Sequence, residues 1–253
     1  ASEPDNPDWG GTYSQGYSIP NDNPWQDPDG NILEEFFAIG IRSPYSANYS
    51  YVDGRIWLSD VGYVAREEIS FIEKGDNLQW PYMEGDTTSE LLDIAKPENL
   101  IGADKPPIHN YGRDFGGCII GGSIYQGSLY PDLYGKYLFG DYNTGRIMAL
   151  RYDEATQEAE REILIYNIET LGLDLPSGNG ITGIFPQPDG EVLVTILSYN
   201  DETYFKNPGK ILRLKAQELT PDPPAKLSEL GVFTNMNTLE VAPGIIPYTV
   251  NAP

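Results

Sequence analysis

Residues 60–85 read DVGYVAREEISFIEKGDNLQWPYMEG, and their pattern decides the fold class. The stretch opens on an acidic turn, Asp60-Val61-Gly62, and passes two adjacent carboxylates, Glu67 and Glu68. Ile69-Ser70-Phe71-Ile72 follows, and its alternation predicts a strand with one buried face. Gly75-Asp76-Asn77 supplies the turn chemistry that stops the strand, with Trp80-Pro81-Tyr82 beyond it. Carboxylates and turn carbonyls crowded at a strand end suit a hard, oxygen-seeking cation such as calcium. The same residues also suit a solvated acidic loop capping a strand.

Outward from this stretch the chain repeats one theme: a tight turn followed by a short apolar run. Val52-Asp53-Gly54 separates Tyr49–Tyr51 from Arg55–Asp60, a hairpin signal. Ile119–Tyr125, Lys136–Asp141, Arg146–Tyr152 and Glu162–Tyr166 form a second cluster. Thr182–Pro186, Glu191–Leu197 and Lys210–Leu214 form a third, hinged at Pro188-Asp189-Gly190. A further strand is predicted over Ile32–Ile41, after the turn Pro28-Asp29-Gly30. Four-stranded units recurring at roughly 40–50 residues are how a β-propeller is written in sequence. Long helical patterns are missing; Glu90–Ala95 fits a turn of helix inside the loop from Asp86 to Pro107. The fold class read here is all-β, with a domain over residues 1–216. A proline-rich linker at Thr220–Pro224 and the beginning of a further domain fill 217–253.

Composition narrows the function classes. Against 16 Lys+Arg stand 38 Asp+Glu, a formal net charge of −22, so phosphate backbones and anionic membrane surfaces are poor partners. Cys118 is the one cysteine, which excludes an internal disulfide and a thiolate metal cluster; its neighbours fit a buried small residue. No apolar run approaches membrane-spanning length and no signal peptide is visible. A processed N-terminus, or a piece of a longer protein, is therefore expected.

The ordered phrases resemble a known family. Ile39-Gly40-Ile41-Arg42-Ser43-Pro44, Ile56-Trp57-Leu58-Ser59-Asp60-Val61-Gly62, Glu67-Glu68-Ile69 and Gly75-Asp76-Asn77 with Trp80-Pro81 come first. Gly121-Gly122-Ser123-Ile124-Tyr125 and Gly135-Lys136-Tyr137-Leu138-Phe139-Gly140-Asp141 follow. Together, over roughly residues 17–215, they resemble the soluble quinoprotein glucose dehydrogenases, also called glucose/sorbosone dehydrogenases. That family includes the propeller of Hedgehog-interacting protein. The resemblance implies a partial six-bladed β-propeller, with about four blades present. Another chain or a further segment would then cover the open sheet edges.

The resemblance also implies sites. The Glu68 side chain, the backbone carbonyls of Leu78 and Glu84, and the Asp86 side chain match a structural calcium position. Arg42, Gly62 and Tyr63 match residues around pyrroloquinoline quinone (PQQ): Arg42 fits a cofactor arginine, while Gly62 and Tyr63 match the backbone pair that holds the quinone-activating calcium. This chain departs from the pattern at Ser43, at Asn143-Thr144-Gly145 and at Gly180-Ile181-Thr182, which remove much of the positive charge a tricarboxylate needs. No catalytic residue is assigned. His109, the one histidine, has no metal-ligand or nucleophile pattern beside it and is read as structural or exposed. Gly178-Asn179-Gly180-Ile181-Thr182-Gly183 satisfies the dinucleotide pattern but no helix pattern follows.

Three readings follow. The first is a periplasmic or extracellular PQQ-dependent sugar dehydrogenase that oxidises an aldose at C1, with hydride passing to the quinone. The second is a non-catalytic, calcium-stabilised propeller that binds a protein or a glycan. The third is a structural module of a secreted or surface assembly.

Overall fold

The turn at Asp53 and Gly54 sets the first sheet. Asp53 accepts hydrogen bonds from the Arg55 backbone N–H (3.2 Å) and from Trp57 Nε1 (3.0 Å), and Gly54 takes φ +72°. The strands on either side, β1 (Pro44–Tyr49) and β2 (Ile56–Asp60), therefore pair antiparallel, and β3 (Arg66–Ile72) returns alongside β2. Four two-residue strands decorate the following loop: β4 (Asp76–Asn77), β5 (Met83–Glu84), β6 (Thr87–Thr88) and β7 (Ala103–Asp104). β8 (His109–Gly112) completes a four-stranded sheet in the order β1-β2-β3-β8. The structure is a computed structural model that describes residues 19–26, 29, 33–92, 95–171, 179–198, 209–215, 233–235 and 240–241.

The second sheet repeats the first: β9 (Ile119–Ile124), β10 (Tyr137–Asp141), β11 (Arg146–Asp153) and β12 (Glu158–Ile165), each antiparallel to the last. A third sheet holds β13 (Asn179–Pro186), β14 (Val192–Ser198) and β15 (Lys210–Arg213). These are sequential up-and-down sheets of the propeller kind, and the chain is all-β. The chain divides into two compact units, 1–214 and 215–253. In the second unit β16 (Phe233–Asn235) pairs antiparallel with β17 (Glu240–Val241). The expected linker at Thr220–Pro224 lies outside the described residues.

Strand periodicity explains how the sheets stack. In the second sheet Ile119, Tyr137, Phe139, Met148 and Leu150 face one way and join Trp57, Ile69, Phe71 and Tyr111 of the first sheet. Their chain neighbours Ile120, Leu138, Ile147 and Ala149 face the other way and join Ile181, Ile184, Val192, Val194 and Ile196 of the third. A central sheet buried on both faces needs continuous apolar runs, which is what Tyr137-Leu138-Phe139 and Ile147-Met148-Ala149-Leu150 supply. The Trp57 ring stacks on Tyr137 with centroids 4.9 Å apart and meets Phe71 edge-on at 4.5 Å. The first strands of the three sheets, β1, β9 and β13, line a groove of about 620 Å³. Tyr45 Oη donates across it to the Thr182 carbonyl (2.8 Å).

Three local expectations are corrected. The strand over Ile32–Ile41 does not form: residues 33–41 run through turns with a single parallel bridge, Ile39 to Asn77. Its backbone pairs with the 76–80 loop instead, through Ile39 N–H to the Asp76 carbonyl, Leu78 N–H to the Ile39 carbonyl and Trp80 N–H to the Gly40 carbonyl. Gly40 permits this close approach at φ +74°, because a Cβ there would strike the Leu78 and Gln79 backbone. β3 is buried on both faces over residues 67–71 rather than on one. The strand expected over Glu162–Tyr166 starts earlier, at Glu158.

Candidate functional site

Asp60 ends β2, and a buried carboxylate at a strand end needs donors. Asp60 finds two in the backbone N–H groups of Arg42 (2.8 Å) and Ser43 (2.5 Å), and burial still pushes its pKa up. This anchor fixes the chain on both sides of Arg42. The Arg42 side chain folds over the next turn, where Nη1 donates to the carbonyls of Val61 (2.8 Å) and Gly62 (3.0 Å). Its guanidinium carbon lies 5.3 Å from the Tyr63 ring centroid and 5.6 Å from that of Trp80. Both distances are within cation–π range. Arg42 and the neighbouring pair Gly62-Tyr63, 20 positions further along the chain, thus meet on one small platform. Trp80 belongs to it too and was not foreseen as a site residue; in the sequence it stood only as part of the Trp80-Pro81 phrase that the family shares.

Beneath that platform lie four buried carboxylates, and their partners are unequal. Glu67 Oε2 accepts from the Ile119 N–H (2.8 Å), and its Oε1 is ion-paired with Arg113. Glu84 Oε1 accepts from the N–H groups of Val64 (2.9 Å), Ala65 (2.8 Å) and Arg66 (3.0 Å), with Arg113 Nη2 at 3.8 Å. Asp60 has the two donors already named. Glu68 has one, the Gly85 N–H, and no cation among the described residues. Burial, followed by the charges of Asp60, Glu84 and Glu67 and offset only by that Gly85 bond, pushes Glu68 up to about 8. Glu84 Oε2 is buried without a hydrogen-bond partner.

Of the residues matched to calcium, Glu68, Glu84 and Asp86 come together, because the 84–86 turn folds back over β3. Leu78 is held from the other side by Ile39. A divalent cation fits the unmet need here: one under-compensated carboxylate, one orphaned carboxylate oxygen and turn carbonyls. Two features compete with it. Asp86 is exposed and paired with Arg66 (2.6 Å), which holds its carboxyl below the usual range. The Glu84 carbonyl accepts the Thr87 hydroxyl (2.9 Å). Among the described residues no three acidic, histidine or cysteine side chains converge as metal ligands, so backbone oxygens would have to complete any shell.

The residues present fit one edge of a flat, carboxylate-bearing cofactor. Arg42 has no carboxylate partner among the described residues, and two aromatic rings flank it. Fit is poorer for a second cation at Gly62, whose carbonyl already receives the Arg42 guanidinium. At the other expected contact points Asn143 and Gly180 bring no charge. His109 is removed from this platform, on β8, where Nε2 lies 3.2 Å from Arg161 Nη1. Burial, then the Arg161 charge, lowers its pKa to about 4. Cys118 is half-buried, and burial, then the charges of Glu67 and Asp141, pushes its thiol up to about 11, which disfavours the reactive thiolate. The pattern around Gly180 forms strand β13, with no helix end to meet a pyrophosphate.

Comparison with known proteins agrees with this architecture. The chain is similar to the apo-form soluble aldose sugar dehydrogenase from Escherichia coli, at 21% identity and TM-score 0.55, over 70% of this chain and 48% of that one. A glucose dehydrogenase matches at 21% identity and TM-score 0.59, over 79% and 51% of the two chains. The PQQ-bound aldose sugar dehydrogenase from Streptomyces coelicolor matches at 14% and 0.51, over 77% and 48%. The chain therefore spans about half the length of the solved structures it matches. Residues 13–195 match the family described as Glucose / Sorbosone dehydrogenase. This chain belongs to the glucose/sorbosone dehydrogenase family.

Proposed function

We propose that this chain is part of a PQQ-dependent sugar dehydrogenase-like propeller, and that the Arg42–Gly62–Tyr63 platform receives a carboxylate of the quinone. The observation that carries this reading is the Arg42 guanidinium. Two backbone carbonyls orient it, two rings flank it, and no carboxylate among the described residues forms an ion pair with it, Asp60 acting on it only from a distance. Such a group offers a preorganised charge to a planar anion. Tyr63 and Trp80 would bound the flat ring system and keep water from the guanidinium. When bound, the quinone supplies the hydride acceptor for oxidation of an aldose at C1. His109 is not assigned as the proton-accepting base, because it lies on the edge strand β8 beside Arg161, and burial with that neighbouring charge lowers its basicity.

Calcium enters the same reading as a structural ion held by the Glu68 side chain, the Leu78 and Glu84 carbonyls and the Asp86 side chain. Its support is the charge deficit at Glu68 and the orphaned Glu84 oxygen. The sheets beyond those described would come from a protein partner or a further segment, with residues 217–253 beginning another domain. A periplasmic or extracellular setting suits both the calcium and the acidic surface. No helix among the described residues is long and apolar enough to cross a membrane.

A second reading is favoured by a specific observation. Asn143 and Gly180 stand where a tricarboxylate would need cations, so a calcium-stabilised propeller that binds a glycan or protein without catalysis keeps every other feature. Titration with PQQ in the presence of calcium, followed by dye reduction with glucose, separates the two. A saturable spectral change lost in Arg42→Ala supports the first reading. Its absence at high protein concentration leaves the second.

A further inference from the structure

We propose that the seam between the first and second sheets carries a binding site for a small oxyanion, a carboxylate or a phosphate, held between Arg146 and Arg161. Strand β12 alternates so that Ala159, Arg161 and Ile163 share one face, and Ala159 and Ile163 pack into the apolar cluster of Trp57, Tyr111 and Phe139. Arg161 therefore carries a guanidinium into an apolar seam. Its guanidinium carbon lies 3.6 Å from the Phe115 ring centroid and 5.6 Å from that of Tyr111. Arg146, the first residue of β11, brings a second guanidinium to within 4.3 Å of the same Phe115 ring and donates Nη1 to the Phe115 carbonyl. Like charges have been brought together, which is costly unless something of opposite sign sits with them.

Compensation by the protein is missing here. Arg55, Arg66, Arg113, Arg151 and Arg213 each form an ion pair with a carboxylate. Arg146 and Arg161 form none among the described residues, in a chain of net charge −22 where carboxylates are plentiful. Asp141, which pairs across from Arg146, spends its oxygens on Tyr111 Oη, the Gly117, Cys118 and Thr144 N–H groups and the Thr144 hydroxyl. Asp114 acts on Arg161 only from beyond ion-pair range. His109 offers Arg161 a neutral imidazole nitrogen at 3.2 Å and no charge. The Nε of Arg146 is buried and has no hydrogen-bond partner among the described residues. An oxyanion would neutralise the pair and accept from their unused donors.

The site draws on β8, β11 and β12, whereas Arg42 precedes β1 at the other edge of the first sheet, so its fate is independent of the quinone reading. The test uses the whole chain in chloride at constant ionic strength, with inorganic phosphate or acetate replacing chloride, followed by thermal melting and by the imidazole resonances of His109. Phosphate, acetate or both should raise Tm and shift His109 with saturation, and chloride should not. Arg161→Gln should weaken the apparent affinity by about tenfold or more, while Arg213→Gln on the third sheet should leave it unchanged. The proposal is overturned if chloride and the oxyanions act alike, or if Arg161→Gln saturates as the parent does. Should Arg161→Gln fail to fold, the parent decides: His109 resonances that drift without saturation overturn the site.

Discussion

Replacing Glu68 by glutamine removes a charge while keeping shape and the acceptor for the Gly85 N–H, so the substitution reads the local charge deficit directly. The ordinary carboxyl value is 4.5 and the folded value about 8. Between those pH values the folded protein binds a proton that the unfolded chain has lost, so without metal its stability falls as pH rises from 4.5 through 8. At neutral pH the accumulated cost is about 3 kcal/mol, taking roughly 1.4 kcal/mol per pK unit. Glu68→Gln should recover most of it in chelator, raising Tm by roughly 5–10 °C for a domain of this size. It should also flatten the pH dependence. In calcium the order should invert, because the parent gains a charge-compensated ligand and the variant does not. Melting curves of both proteins in calcium and in EGTA, from pH 5 to pH 8, give all four numbers. A variant less stable than the parent by the same amount in both buffers would refute the reasoning and make Glu68 a packing residue.

Other outcomes follow from the same structure. His109, lowered from 6.5 to about 4, is penalised in the fold as pH falls through that window, at a cost approaching about 3 kcal/mol. His109→Gln should thus lose less stability than the parent between pH 7 and pH 4 in urea titrations, and a parallel loss would contradict the burial argument. Arg42→Lys keeps the charge but not the fork held by Val61 and Gly62, and should weaken PQQ binding by roughly 10–100-fold in a difference-absorbance titration. Gly121→Ala would drive a methyl into the Ser46, Ser59 and Tyr137 hydroxyls and should cost about 1–3 kcal/mol. Calcium affinity measured by calorimetry should stay unchanged in that variant, and a large change would mean that the seam and the metal position are coupled.

Much of the fold was legible because turn chemistry and apolar runs are local. Asp53-Gly54 announced the first hairpin, and the Lys136–Asp141 and Arg146–Tyr152 runs fell within a residue of the observed strands. Alternation misled where a sheet is covered on both sides: Glu67 and Glu68 look like solvent-facing residues beside Ile69, yet both are buried among backbone donors supplied by distant loops. Ile32–Ile41 misled for the opposite reason, since its apolar residues satisfy a loop rather than a strand partner. At the candidate site the residue types were readable and their pairing was not. Nothing in the order of residues shows that Arg66 reaches Asp86, that Arg113 reaches Glu67, or that Trp80 flanks Arg42. These contacts span between 20 and 46 positions where hydrogen bonds form, a range beyond local pattern. The Arg146–Phe115–Arg161 seam gave no motif at all.

The central claim is that Arg42, braced against Val61 and Gly62 and without an ion-pair partner among the described residues, receives a quinone carboxylate. The most direct measurement is a difference-absorbance titration of PQQ against the whole chain in calcium, with Arg42→Ala run in parallel. The account predicts a saturable spectral change for the parent and loss of saturation over the same range for the variant. Equal spectra for the two proteins, or no saturable change in the parent, would contradict it.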